Sequence, residues 1–158
     1  MKVLAALVLP AAVLSASLVH AQGTARPVTF TCHVAFTSQE NGKPDRSGKA
    51  ELSVTLSLEN VPSGYRRIIA SHPGSIASFD TLAATSAGEA TSHGVFRDVS
   101  TSGSWSLNRS LRTADTQEFE QVVINRLSGE LFYQKQIADR SGVVFSTRNA
   151  FGPCVRKP

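Results

Sequence analysis

Three histidines follow residue 21: His33, His72 and His93. A hydrolytic triad needs one of them brought by the fold to both a serine and a carboxylate. Serine is abundant, but no Gly-x-Ser-x-Gly elbow occurs and no His-Glu-x-x-His spacing offers a metal site. His33 lies on the polar side of an alternating segment, and His72 and His93 lie in turns, so each reads as a surface side chain. Glu118 and Glu120 are two residues apart and share one face of an extended segment. A glycosidase needs two carboxyls across a cleft; in sequence this pair reads as solvated strand residues. Arg126, beside a turn, reads as the cross-strand partner of a carboxylate such as Glu130 or Glu120. Trp105 stands between Ser104 and Ser106, as a core anchor or an exposed ring. There is no glycine-rich phosphate loop and no dinucleotide fingerprint. The expectation is therefore no catalytic, cofactor-binding or metal residues and no cofactor.

The two cysteines, Cys32 and Cys154, remain. Neither has a histidine or second cysteine at metal-ligand spacing, and nothing nearby would lower a thiol pKa. In an oxidising compartment an even count points to pairing, and two cysteines allow one intramolecular bridge. Free thiols, a metal pair and an intermolecular link are the alternatives. Closing so long a loop would stabilise by about 4–5 kcal/mol in the chain-entropy view.

The compartment follows from the first residues. Lys2 precedes an uncharged run from Val3 to Val19, and Val19-His20-Ala21 places small residues three and one positions before a cut. Residues 1–21 read as a signal peptide and 22–158 as one domain, periplasmic or secreted. The run is short for a membrane span and contains Pro10, and no later apolar run is long enough to cross a bilayer as a helix. Without Lys2, fifteen Lys and Arg face twelve Asp and Glu, a net charge of +3, and the basic residues are scattered. That is a mixed, solvated surface, not a nucleic-acid patch.

Alternation defines the elements that must position these residues. Val28, Phe30, Cys32, Val34 and Phe36 alternate with mostly polar residues, as do Leu52, Val54, Leu56 and Leu58. Both read as strands with these side chains inside. Tyr65 to Ala70 reads as a short strand. Ile76 to Leu82 reads as a strand or an irregular crossing, and Ala83 to Ser92 as a surface loop. Short strands follow at Val95–Val99 and Ser104–Leu107, then a polar loop over Leu111–Gln117. Phe119 to Arg126, with Val122, Val123 and Ile124, and Leu131 to Ile137 make a hairpin in which Gly129 takes a positive φ. Val143 to Thr147 is the last strand, and Gly152-Pro153 bends the chain to Cys154. About seven to nine short strands, without an amphipathic helix, predict an all-β fold, a small antiparallel barrel or sandwich. Aromatics are too few and the later strands too short for the outer-membrane pattern.

The run Val123-Ile124-Asn125-Arg126-Leu127-Ser128-Gly129-Glu130-Leu131 resembles a hairpin of many short exported bacterial proteins of unassigned function. Those carry a cysteine in the first mature strand and another close to the C-terminus, a layout that Cys32 and Cys154 fit. The resemblance implies a β fold with a closing disulfide and implies no activity. Function then divides three ways. The leading expectation is a non-enzymatic exported module that binds an envelope or extracellular protein or polymer. The others are a hydrolase with a dispersed site and a barrel carrying a small apolar ligand. A filled core with a bare surface patch favours the first. A histidine within reach of a serine and a carboxylate favours the second, and a deep Phe- and Leu-lined pocket the third.

Overall fold

A computed structural model describes residues 26–62, 64–72 and 76–158; the expected signal segment and its cut after Ala21 lie outside them. Among these residues there is no helix. Ten strands form one sheet: β1 Val28–Glu40, β2 Arg46–Val61, β3 Gly64–Ser71, β4 Thr81–Ala84, β5 Glu89–Thr91, β6 Gly94–Asp98, β7 Ser104–Arg112, β8 Thr116–Asn125, β9 Glu130–Asp139 and β10 Val144–Arg156. Their order is β4-β3-β2-β1-β10-β9-β8-β7-β6-β5, with every ladder antiparallel. The chain thus meanders away from its own ends, and β1 and β10 meet in the middle.

The sheet curls into a nearly closed barrel. Its free ends touch at one parallel bridge, Thr85 to Arg97, where the Asp98 N–H donates to the Thr85 carbonyl at 2.9 Å. Parity explains why that contact is parallel. Three-residue β5 only flanks β6, which leaves nine strands around the ring. Neighbours that alternate direction around an odd ring must meet in parallel once.

Strand period two then sorts the side chains. Phe30, Cys32, Val34, Leu52, Val54, Leu56, Ile69, Leu82, Leu107, Val122, Ile124, Leu131 and Tyr133 point inward and are buried. Phe36 packs against this core half-buried, whereas Leu58, expected inside, lies outside the buried cluster. Beyond Leu58 the same inward face carries Arg67, which faces it in the β2–β3 ladder.

The elements run longer than the sequence patterns suggested. The segment expected as a loop at Ala83–Ser92 contains the end of β4 and all of β5, and that at Leu111–Gln117 is only a turn over 113–115. Threonine and glutamine are good strand residues when one face is wet, so polarity alone misled there. The segment 76–80 is irregular and folds inward, with Phe79 buried. Gly129 has φ 72°, and Asn125 Oδ1 accepts from the Leu127 and Ser128 amides at 2.8 and 3.0 Å, which fixes the β8–β9 turn.

β10 does not end at Gly152-Pro153; it continues through to Arg156. Cys32 and Cys154 face each other directly in the β1–β10 ladder and are bonded, with Cα atoms 3.9 Å apart. The Cys154 N–H turns away to the Gly129 carbonyl at 2.9 Å. The two cysteines therefore form a non-hydrogen-bonded pair, the kind in which side chains come closest. At the next position Pro153 has no N–H to give β1, and the ladder is interrupted between Cys32–Cys154 and Ala35–Phe151. Gly152 fills the gap: a Cβ there would sit 2.0 Å from the His33 carbonyl oxygen.

Candidate functional site

Below the apolar layer the inward positions turn ionic. In the ladders Ser38 faces Arg148, Arg148 faces Lys135, Lys135 faces Glu120 and Glu120 faces Arg109. Each shares parity with a buried apolar neighbour: Arg109 with Leu107, Glu120 with Val122 and Lys135 with Tyr133. Glu120, expected in solvent, is instead 1% exposed, which corrects the reading of Glu118 and Glu120 as solvated. The inward face continues past the point where its residues stop being hydrophobic.

A buried carboxylate persists only if its oxygens are satisfied. Glu120 Oε2 lies 2.9 Å from Arg109 Nη2. Oε1 accepts from the Tyr133 hydroxyl at 2.7 Å and from the Ser78 hydroxyl. Arg109 Nη2 also reaches Glu118 Oε2 at 3.4 Å, and Lys135 Nζ reaches the same oxygen at 3.4 Å. Burial, and then the Glu120 charge, push the Tyr133 phenol far above its ordinary range. Tyr133 therefore stays protonated and serves as a donor. The backbone N–H of Ser78 donates to the Tyr133 oxygen at 3.0 Å, and the Phe79 and Tyr133 rings lie 5.7 Å apart. Arg148 Nη1 donates to the Ile76 carbonyl at 3.2 Å. The network's structural work is thus clear: it ties segment 76–80 down into the barrel.

A cavity of about 490 Å³ opens where β4 and β5 splay apart from their joining turn. Phe79, Leu82 and Phe96 line it, exposed Thr91 and His93 stand at its rim, and half-buried Arg109 and buried Glu120 form its floor. Arg109 Nε is buried there without a hydrogen-bond partner. The other end of this seam is sealed by Arg67 Nε, 2.9 Å from buried Asp98, which reaches past Ala84, its small ladder neighbour.

The outer surface has a second feature. Val123 faces Phe132, Phe132 faces Phe151 and Phe151 faces Ala35, so an apolar row crosses β8, β9, β10 and β1. Phe132 is 37% and Phe151 52% exposed, and Val155 nearby on β10 is 65% exposed. Beside Phe151 runs a groove of about 590 Å³ bounded by Ala35, Lys49, Glu51 and the Gly152-Pro153 step.

The remaining sequence candidates stay dispersed. His33 is exposed, 3.7 Å from Glu51; His93 bonds Ser92 in an exposed turn at 3.2 Å; His72 is exposed. Among the described residues none of them meets both a serine and a carboxylate, and no three-residue group of metal-ligand type occurs. Arg126 pairs with neither Glu130 nor Glu120: its guanidinium carbon lies 5.0 Å over the Trp105 ring, which also packs 5.8 Å from Phe30. Trp105 is a half-buried anchor. Sequence reasoning missed Arg109, Tyr133, Lys135 and Ser78. The readable signal for the first three was shared parity with buried neighbours on consecutive strands; Ser78, on an irregular segment, had none. Comparison with known proteins finds no matching family model, no curated relative and no similar solved structure.

Proposed function

We propose that this chain is exported and works outside the cytoplasm as a non-enzymatic binding module, and that the outer apolar row on β9, β10 and β1 is its recognition surface. One observation carries this reading: the barrel interior is packed with apolar side chains and the Glu120 carboxylate there is paired, while phenylalanines stand exposed on its outside. The Cys32–Cys154 bond, of a kind that persists in oxidising compartments, supports export. The rest of the outer face supports a wet surroundings, since Thr29, Thr31, His33, Thr37 and Gln39 of β1 point out and the apolar positions point in, the reverse of a lipid-facing barrel. The partner is an envelope or extracellular protein or polymer.

A photo-reactive benzoylphenylalanine placed at position 132 or 151 in the exporting cell tests the proposal. The expected result is an adduct of discrete mass at both positions and none at outward Thr55. Loss of all adducts at 132 and 151 would remove the reading.

The seam cavity supports a second reading, carriage of a small ligand. Its floor argues for a polar ligand in place of an apolar one, because Arg109 Nε offers an unused donor beside Phe79, Leu82 and Phe96. Arg109→Leu should abolish any such binding and leave the adducts at 132 and 151 unchanged.

A further inference from the structure

We infer that the barrel end carrying the β1–β2 and β9–β10 turns holds a binding site for a small organic carboxylate, gripped by Arg46 and Arg148 on either side of Ser38. The site shares no lining residue with the seam cavity or with the groove beside Phe151.

Register builds it. Ser38 of β1 faces Arg46 across one ladder and Arg148 across the other, and the three have the inward parity of Val34, Val54 and Ala150. Two strand spacings put the arginine backbones about 10 Å apart, with only a short hydroxyl side chain between them. Side chains of that length can close on one ligand over Ser38. Arg148 is already held in place, since its Nη1 donates to the Ile76 carbonyl at 3.2 Å. Phe36 and Ile76 complete the walls of a cavity of about 220 Å³. The Phe36 ring lies against Gly48, where a Cβ would come within 3.0 Å of it.

Charge shows what this end lacks. Along the same inward row Lys135 reaches Glu118 at 3.4 Å and Arg109 reaches Glu120 at 2.9 Å. Among the described residues Arg46 and Arg148 pair with no carboxylate, and the Ser38 hydroxyl has no partner. The neighbouring carboxylates are engaged: Glu40 with Lys43 at 2.7 Å, and outward Asp45 with Gln39 at 3.0 Å. Like charges set close on one face of a sheet repel. An anion between them turns that repulsion into two charge-assisted contacts, with the Ser38 hydroxyl as a third donor.

The walls select the class of anion. Phosphate or sulfate would set hydrated oxygens against Phe36 and Ile76 and gain no partner there. A carboxylate carries its charge at one end only. Its two oxygens match the guanidinium forks, and a carbon body lies on the two apolar side chains.

Chemical-shift titration of the isotope-labelled, oxidised protein with benzoate at constant ionic strength tests the site. Saturable shifts are expected at Ser38, Arg46 and Arg148, with a Kd of about 1 mM, as suits a ligand of so few atoms. Arg46→Gln and Arg148→Gln should each weaken binding at least about tenfold. Arg46 is exposed and holds no other side chain, so its variant reports on binding even if Arg148→Gln, which also releases Ile76, fails to fold. Lys43→Gln removes a cation already paired with Glu40 and should change the Kd by less than about twofold. Benzyl alcohol, which lacks the charge, should give no saturable shift. No saturation with benzoate by about 20 mM overturns the inference. So does equal weakening by Lys43→Gln, or benzyl alcohol bound at the same residues. Inorganic phosphate bound as tightly as benzoate would overturn the assignment to an organic carboxylate.

Discussion

Glu120→Ala is the sharpest test of how this barrel is held shut. The substitution removes a carboxylate that is 1% exposed and leaves three groups facing a void: Arg109 Nη2, formerly at 2.9 Å, the Tyr133 hydroxyl, formerly at 2.7 Å, and the Ser78 hydroxyl. Removing one partner of a buried ion pair costs about 3–5 kcal/mol, because the other charge stays buried and uncompensated. Glu118, 3.4 Å from Arg109, takes over part of the charge, which places the expectation near the lower figure, about 3 kcal/mol. For a domain of this size that lowers the melting midpoint by about 10 °C. The exposed carboxylate Glu51, 3.7 Å from His33, is the control, and Glu51→Ala should cost under about 0.5 kcal/mol. A double-mutant cycle with Tyr133→Phe adds a second condition. The two share a hydrogen bond, so their costs should fall short of additivity by at least about 0.5 kcal/mol. If Glu120→Ala melts within the error of Glu51→Ala, or the cycle is additive, the network does not anchor segment 76–80 and the reasoning fails.

Three further outcomes follow from the geometry. The Tyr133 phenol is raised from its usual 10.0 by burial, so the stability tied to its neutral form is complete below pH 10 and is lost as pH rises above it, when only the unfolded chain ionises readily; Tyr133→Phe should flatten that alkaline decline in urea midpoints, and an unchanged slope would contradict the burial argument. Thiol titration of unfolded, unreduced protein should find none, and reduction of Cys32–Cys154, which spans 122 residues, should lower the melting midpoint by at least about 10 °C; two titratable thiols would refute the bridge. Gly152→Ala forces a Cβ to within 2.0 Å of the His33 oxygen, so β1 and β10 must separate there; circular dichroism should show loss of at least about 3 kcal/mol of stability, and a wild-type midpoint would mean the ladder yields freely.

What could be read in advance depended on how strongly each face was marked. Phe30, Val34, Leu52 and Leu56 alternate with polar residues over long runs, so both the strands and their inward sides were legible. The disulfide was legible for a different reason, since two cysteines in an oxidising compartment have one intramolecular pairing. Glu120 was not legible, because alternation gives parity but not depth. The pattern puts Glu120 with Val122 and Ile124, yet only the register of β7, β8 and β9 shows that Arg109 and Tyr133 are waiting for it. β5 was hidden because Glu89 and Ala90 have weak strand preference and its three residues pair only through the β6 hairpin. The continuation of β10 through Gly152-Pro153 was not legible, since those residues usually mark turns; here they adapt a strand to a close neighbour.

The ring also makes the chain's starting point a matter of convention. Lys157 N donates to the Thr29 carbonyl at 2.8 Å, so the two ends of the barrel chain lie side by side on the strand pair that carries the disulfide. By strand count the seam between β4 and β6 lies on the opposite side of the ring. A circularly permuted chain that joins the C-terminus to residue 26 by a short linker and opens in the turn before Gly88 would begin on β5 and end on β4. It would keep every ladder, and the Cys32–Cys154 bond would then sit mid-chain between consecutive strands. Its covalent work would shrink from closing a ring to clipping a hairpin.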